Sequence, residues 1–130
     1  MSRGLLDTSV FIAQQTRSLD ASNLPTELAV SVVSHAELSA GVLAATDLDV
    51  RSRRLVTLTA VTDMNPIPID SAVAQAWARL RVQLAEARRR AHVNDMWIAA
   101  TAVALGIPVV TQDRDFDVLA EVSDLRVLHV

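Results

Sequence analysis

The chain has 130 residues, about half of them apolar, a net charge of -3 and no cysteine. One compact domain covering residues 1–130 fits that length, and the lack of cysteine excludes disulfides, thiolate zinc sites and cysteine nucleophiles. The mild negative charge excludes a global pull toward nucleic acid, so any such contact has to be local; Asp7 interrupts the first apolar stretch, so neither a signal peptide nor a membrane span is expected and the protein reads as cytoplasmic.

In chain order, Gly4 to Asp7 reads as a short buried strand, and Thr8 onward as a helix with Thr8 or Ser9 near its cap. A loop around Pro25 leads to a β-branched segment at Leu28 to Val32, a second strand. Ser34 opens a helix that carries Glu37 and closes near Gly41 or Val42. Helical spacing runs from Asp47 to Thr62, and Pro66 and Pro68 flank a brief strand at Ile67 to Ile69. Asp70 caps a long helix reaching about Arg89. Asp95 to Leu105 is an alanine-rich helix ending at Gly106. Ile107 to Thr111 is a buried strand with its proline at the start, and Leu125 to Val130 a last one. The alternation predicts an α/β fold with a parallel sheet covered on both faces.

In such a sheet, ligands collect outside the carboxyl ends of the strands. Asp7 ends the first strand, Asp113 follows the Val109 to Thr111 segment, and Glu37 and Asp95 are expected in first turns of helices that start at the same edge. Singly, each acid has an ordinary explanation. Ser34 and Glu37 have the S-x-x-E spacing of a capping box. Asp95 complements a helix dipole, and Asp113 suits a turn. Asp7 is harder to explain away, because a carboxylate beside Leu5 and Leu6 is poorly hydrated without a partner. Converging carboxylates repel one another unless a cation is present, and an all-oxygen ligand set points to Mg²⁺ or Mn²⁺ and so to a phosphate ester substrate.

All twelve basic residues are arginine, clustered at Arg51, Arg53 and Arg54 and at Arg88, Arg89 and Arg90. Each cluster reads equally as a phosphate track or as a solvated helix surface. His35, His92 and His129 show no metal-ligand spacing. Trp77 and Trp97 read as core or interface, and the few aromatics leave few platforms on which nucleic-acid bases could stack. The apolar faces at Val10 to Ala13 and Leu38 to Ala44 suit either the core or a partner.

Four blocks carry a resemblance: Leu5 to Val10, Ser34 to Leu38, Asn94 to Ala102 and Val110 to Phe116. In that order and spacing the chain resembles a PIN-domain ribonuclease, and within that family the VapC-type toxins of bacterial toxin-antitoxin pairs. The resemblance implies a single PIN-like domain of three layers, α/β/α, with a mainly parallel central sheet. It also implies Mg²⁺ or Mn²⁺ dependence and endonucleolytic cleavage of RNA. Asp7, Glu37, Asp95 and Asp113 become the acidic quartet, with Asp7, Asp95 and Asp113 on the metal and Glu37 orienting the attacking water or holding a second ion. Ser9, Thr8, Thr111 and Asp115 are supporting residues, with Asp113 and Asp115 both open as the fourth acid. Arg88, Arg89, Arg90 and Arg114 are the candidate RNA contacts. A VapB-type antitoxin that blocks the acidic pocket and a homodimer are the implied partners.

Three other functions compete. A receiver-like regulatory module needs a lysine beside its acids, and the chain has none. A haloacid-dehalogenase-type phosphatase needs an aspartate two residues after its nucleophile, where this chain has Ser9. A catalytically silent PIN domain acting by protein or RNA binding is disfavoured by an intact quartet.

Overall fold

The computed structural model describes residues 2–130. Four strands, β1 (Arg3–Leu6), β2 (Glu27–Val30), β3 (Val109–Thr111) and β4 (Val127–His129), form one sheet in the order β2-β1-β3-β4, and every pairing is parallel. Six helices surround it: α1 (Thr8–Gln14), α2 (Val32–Ala44), α3 (Leu48–Asp63), α4 (Ser71–Glu86), α5 (Val93–Leu105) and α6 (Asp117–Val122). Among the described residues, no helix is long and apolar enough to cross a membrane.

Side-chain alternation divides the interior into two cores, because successive strand residues point to opposite faces. Leu5 lies in register with Ala29 and Val109, and all three pack against Val73, Ala76 and Leu80 of α4 and Ile98 and Ala99 of α5. Leu6 lies in register with Val30 and Val110, and these pack against Val10 and Phe11 of α1, Leu38 of α2 and Val61 of α3. The layers are therefore α/β/α with β1 central and apolar on both faces. Gly4 is fixed by close approach: a Cβ there would stand 2.7 Å from Val110 Cγ2 and 2.8 Å from a Pro25 carbon.

Several boundaries differ from the sequence reading. The helix α2 starts at Val32 rather than Ser34, because Ser31 caps it and accepts a hydrogen bond from the Val33 N–H at 3.0 Å. It also continues through Gly41 to Ala44, with the Arg54 guanidinium donating to the Gly41 carbonyl at 2.8 Å. The Ile67 to Ile69 strand shrinks to a single parallel bridge between Ser31 and Ile67, since Pro66 and Pro68 have no N–H to offer a ladder.

The long helix α4 stops at Glu86, three residues early. There the Arg88 N–H donates to Ala85 O and the Arg89 N–H to Leu84 O, with Arg88 at φ +56°. The same pair of bonds closes α5, from the Gly106 N–H to Val103 O and from the Ile107 N–H to Ala102 O, with Gly106 at φ +69°. Both helices end in a Schellman motif, one with the usual glycine and one with an arginine at its left-handed position. Trp77 of α4 and Trp97 of α5 stack on each other with centroids 4.9 Å apart, and the Arg81 guanidinium lies 5.8 Å over the Trp77 ring.

Candidate active site

Parallel β1 and β3 deliver their carboxyl ends to one rim. The Asp7 N–H is bound to Val110 O at 2.9 Å, which fixes Asp7 to the neighbouring strand as the chain turns into α1. The Asp7 side chain is 4 % exposed, with no capping bond to its own helix. Two hydroxyls converge on its Oδ2 instead: Ser9 Oγ donates at 2.7 Å and Thr111 Oγ1 at 2.9 Å. Those hydroxyls accept in turn from the next turn of chain, Ser9 from the Gln112 N–H at 3.1 Å and Thr111 from the Asp113 N–H at 3.0 Å. One oxygen of Asp7 is thus held by hydroxyls, while Oδ1 has no such bond. Thr111 itself is fully buried.

Thr8 does a parallel service for Glu37. Its hydroxyl donates to Glu37 Oε1 at 2.7 Å and lies 2.9 Å from the buried Ser34 Oγ. The capping-box reading of Ser34 and Glu37 is thereby overturned: Ser31 caps the helix, Ser34 faces Thr8, and Glu37 stands in the second turn of α2 rather than the first. Asp95 is in the first turn of α5, as expected.

Asp7, Thr8, Ser9, Glu37, Asp95, Asp113 and Asp115 line one cavity of about 590 Å³, with His92 and Asn94 at its edge. All four acids of the expected quartet therefore meet, and Asp115 joins them. The Asp95 carboxyl is pushed up to about 6, first by burial and then by repulsion from Asp7 and Asp115. Asp113 is raised for the same reasons, burial followed by Asp7 and Asp115. Such crowding favours bound protons or a bound cation.

The residues suit a hard divalent ion. Among the described residues, no three histidine or acidic side chains are drawn into a ready-made cage. Carboxylates gathered on one cavity wall are an all-oxygen donor set of the kind hard divalent ions take, with waters filling the rest of the coordination sphere. No aromatic side chain lines the cavity.

The arginines are not all at this rim. Arg89, Arg90 and Arg114 line a second cavity of about 520 Å³ beside the first, whereas Arg88 lines neither and occupies the left-handed turn after α4. Ser34 was not singled out as a support for Glu37, nor Gln112 as one for Ser9; the only trace of either in the sequence is adjacency to an acidic residue's own block.

An α/β/α layering with acids gathered at the strand ends is an architecture that nuclease, receiver and phosphatase domains share. The PIN domain family matches residues 4–122, and the chain belongs to that family. It is 48% identical over 128 residues to Ribonuclease VapC5 of Mycobacterium tuberculosis (strain ATCC 25618 / H37Rv), covering 98% of this chain and 95% of that protein. It is 42% identical over 126 residues to Ribonuclease VapC4 of the same strain, covering 96% and 97%. Its fold matches the crystal structure of VapBC-5, a member of the VapBC family of toxin-antitoxin systems from Mycobacterium tuberculosis, with a TM-score of 0.90, 45% identity and complete coverage of both chains. DNA-bound VapBC from Salmonella typhimurium matches with a TM-score of 0.82 at 18% identity, covering 99% of this chain and 98% of that one, and so shares the fold.

Proposed function

We propose that this protein is a metal-dependent endoribonuclease, the toxin of a type II toxin-antitoxin pair acting in the cytoplasm. The observation that carries the reading is the gathering of Asp7, Glu37, Asp95 and Asp113 in one cavity on a chain of this family.

In this reading Asp7, Asp95 and Asp113 would together hold Mg²⁺ or Mn²⁺. The bound ion supplies positive charge to the phosphate and eases deprotonation of water. Ser9 and Thr111 keep Asp7 aimed by donating to Oδ2. Glu37, with Oε1 taken by Thr8, presents Oε2 to orient the attacking water and accept its proton. Asp115, at the boundary of both cavities, adjusts the field without holding the ion. Arg89, Arg90 and Arg114 face the RNA backbone.

The partners follow the same reading. A VapB-type antitoxin covers the acidic cavity, lined in part by the half-exposed Ile12, and the apolar surface that Leu43 of α2 and Leu48 and Val56 of α3 expose. Val10, Phe11 and Leu38, also apolar, belong to the core. A homodimer forms through α4 and α5, where Val82 and Val93 are exposed.

The test is to incubate cellular RNA with purified protein and Mg²⁺ or Mn²⁺ and sequence the new ends. Discrete cuts that need the metal and vanish in Asp7→Asn and Asp95→Asn are expected. Intact RNA under all conditions would overturn the reading.

A further inference from the structure

The two flanks of the acidic cavity differ in charge. On the α1 and α2 side the neighbouring hollow is lined by Ile12, Leu38 and Gly41, and its only arginine, Arg54, donates to the Gly41 carbonyl. On the α5 and α6 side lies the cavity of about 520 Å³, which shares His92 and Asp115 with the acidic one. A strand whose reacting phosphate sits at the acids finds on that side three arginines, Arg89, Arg90 and Arg114, lining one cavity, whereas Arg54 on the other side is turned to a backbone carbonyl.

The arginines there have different tasks. Arg89 Nη1 stands 2.6 Å from Glu121 Oε2, tying the connection after α4 to helix α6. Arg114 lies 3.8 Å from Asp117, whose other oxygen is 3.1 Å from His129 Nε2. Arg90 has no carboxylate partner among the described residues, yet it faces the cavity. An unpaired guanidinium presents several donors in a fork that fits two oxygens of one phosphate. Arg88 is held outside by its place in the helix-ending turn.

We propose that this second cavity is a subsite for a single RNA phosphate, the one adjoining the phosphate that is cut. Arg90 is its principal contact, with Arg114 across the opening and His92 on the wall common to both cavities. Arg89 acts as a brace through Glu121, and Arg88 takes no part. The enzyme therefore grips its substrate on the α5 and α6 side of the scissile bond, which leaves the opposite flank, where Ile12 and Leu38 lie among Thr8, Gln15 and Glu37, to protein. The proposal rests on the ribonuclease reading but concerns binding, not turnover.

The experiment measures calorimetric binding of uridine 5′-monophosphate, uridine 3′-monophosphate and uridine 3′,5′-bisphosphate to the full chain with Mg²⁺ or Mn²⁺. In the unaltered protein the bisphosphate binds about tenfold more tightly than the better monophosphate, or about 1.4 kcal/mol. Arg90→Ala erases that gain while leaving the monophosphates unchanged, Arg90→Lys keeps part of it, and Arg88→Gly keeps all of it. Thermal melting of Arg90→Ala and Arg90→Lys at the parent's temperature, and of Arg88→Gly no lower than it, shows that the loss is not one of folding. No gain in the unaltered protein, or a full gain retained by Arg90→Ala, overturns the subsite. Intact RNA in the cleavage assay alongside an Arg90-dependent gain would overturn the nuclease reading instead and leave the phosphate subsite standing.

Discussion

Thr111 and Asp7, 104 residues apart in the chain, are joined by a hydroxyl-to-carboxylate hydrogen bond of 2.9 Å inside the protein. The same hydroxyl accepts the Asp113 N–H at 3.0 Å, so one buried side chain sets the aim of two acids at once. Thr111→Val keeps the shape and removes both bonds. Supports of this kind are worth about 10- to 100-fold in metal affinity or activity, and the two lost hydrogen bonds together cost about 1 to 3 kcal/mol of stability, Ser9 still donating to Asp7. Thr111→Ser should restore most of both. A valine variant with normal metal affinity, read by titration, would show that Asp7 needs no such support.

Asp95 makes the metal-free protein sensitive to pH. Burial pushes its carboxyl up to about 6 in the fold from an ordinary 3.8, so between those values the folded state binds more protons than the unfolded one. Stability then falls as pH rises from about 4 to 6, and Asp113 adds in the same direction. Asp95→Asn should melt higher than the parent in EDTA at pH 7.5, with the gap narrowing toward pH 4. Added Mg²⁺ or Mn²⁺ should raise the melting temperature of the parent and not of the variant. A gap that does not change with pH would contradict the assignment of charge repulsion to Asp95.

Asp113 and Asp115 both line the acidic cavity, but their anchoring differs. The Asp113 backbone is pinned to Thr111, while Asp115 opens onto the second cavity as well. Asp113→Asn should lower the rate of RNA cleavage by at least about 100-fold, the scale of losing a preorganised charged group. Asp115→Asn should cost about tenfold or less. The reverse ranking in single-turnover assays would exchange their roles.

Arg88 stands at φ +56°, where a side chain is strained and glycine is not. Arg88→Gly should therefore raise stability by about 0.5 to 1 kcal/mol in urea unfolding, matching the arrangement that α5 already has at Gly106. A less stable variant would mean that the arginine side chain makes a contact worth more than the strain.

The sequence carried the parts of this fold that depend on strong local chemistry. Leu5 and Leu6 announce a strand apolar on both faces, and Gly106 announces the end of α5. Asp7 was legible as an acid needing partners because it directly follows two leucines. What stayed hidden turns on competition between near-equal signals. Ser31 and Ser34 are both acceptable helix caps, and the choice of Ser31 follows from the pairing of Ile67 with the backbone around it, a long-range event. The short helix α6 lies in an acid-rich stretch with little periodicity. Arg88 gave no sign of its left-handed turn, because arginine is an ordinary residue in a helix.

The placement of β1 between β2 and β3 has a consequence for the timing of synthesis. A chain emerging from the ribosome completes β1, β2 and α2 early, and with them Asp7, Thr8 and Glu37. Asp95 follows much later, and the strand that brings Thr111 to Asp7 and carries Asp113 to the rim is made after all of these. Pairing between strands so distant in sequence is slow to form. A nascent or interrupted chain thus holds unassembled acids and no working centre, and the activity appears only once nearly the whole domain has been translated and folded.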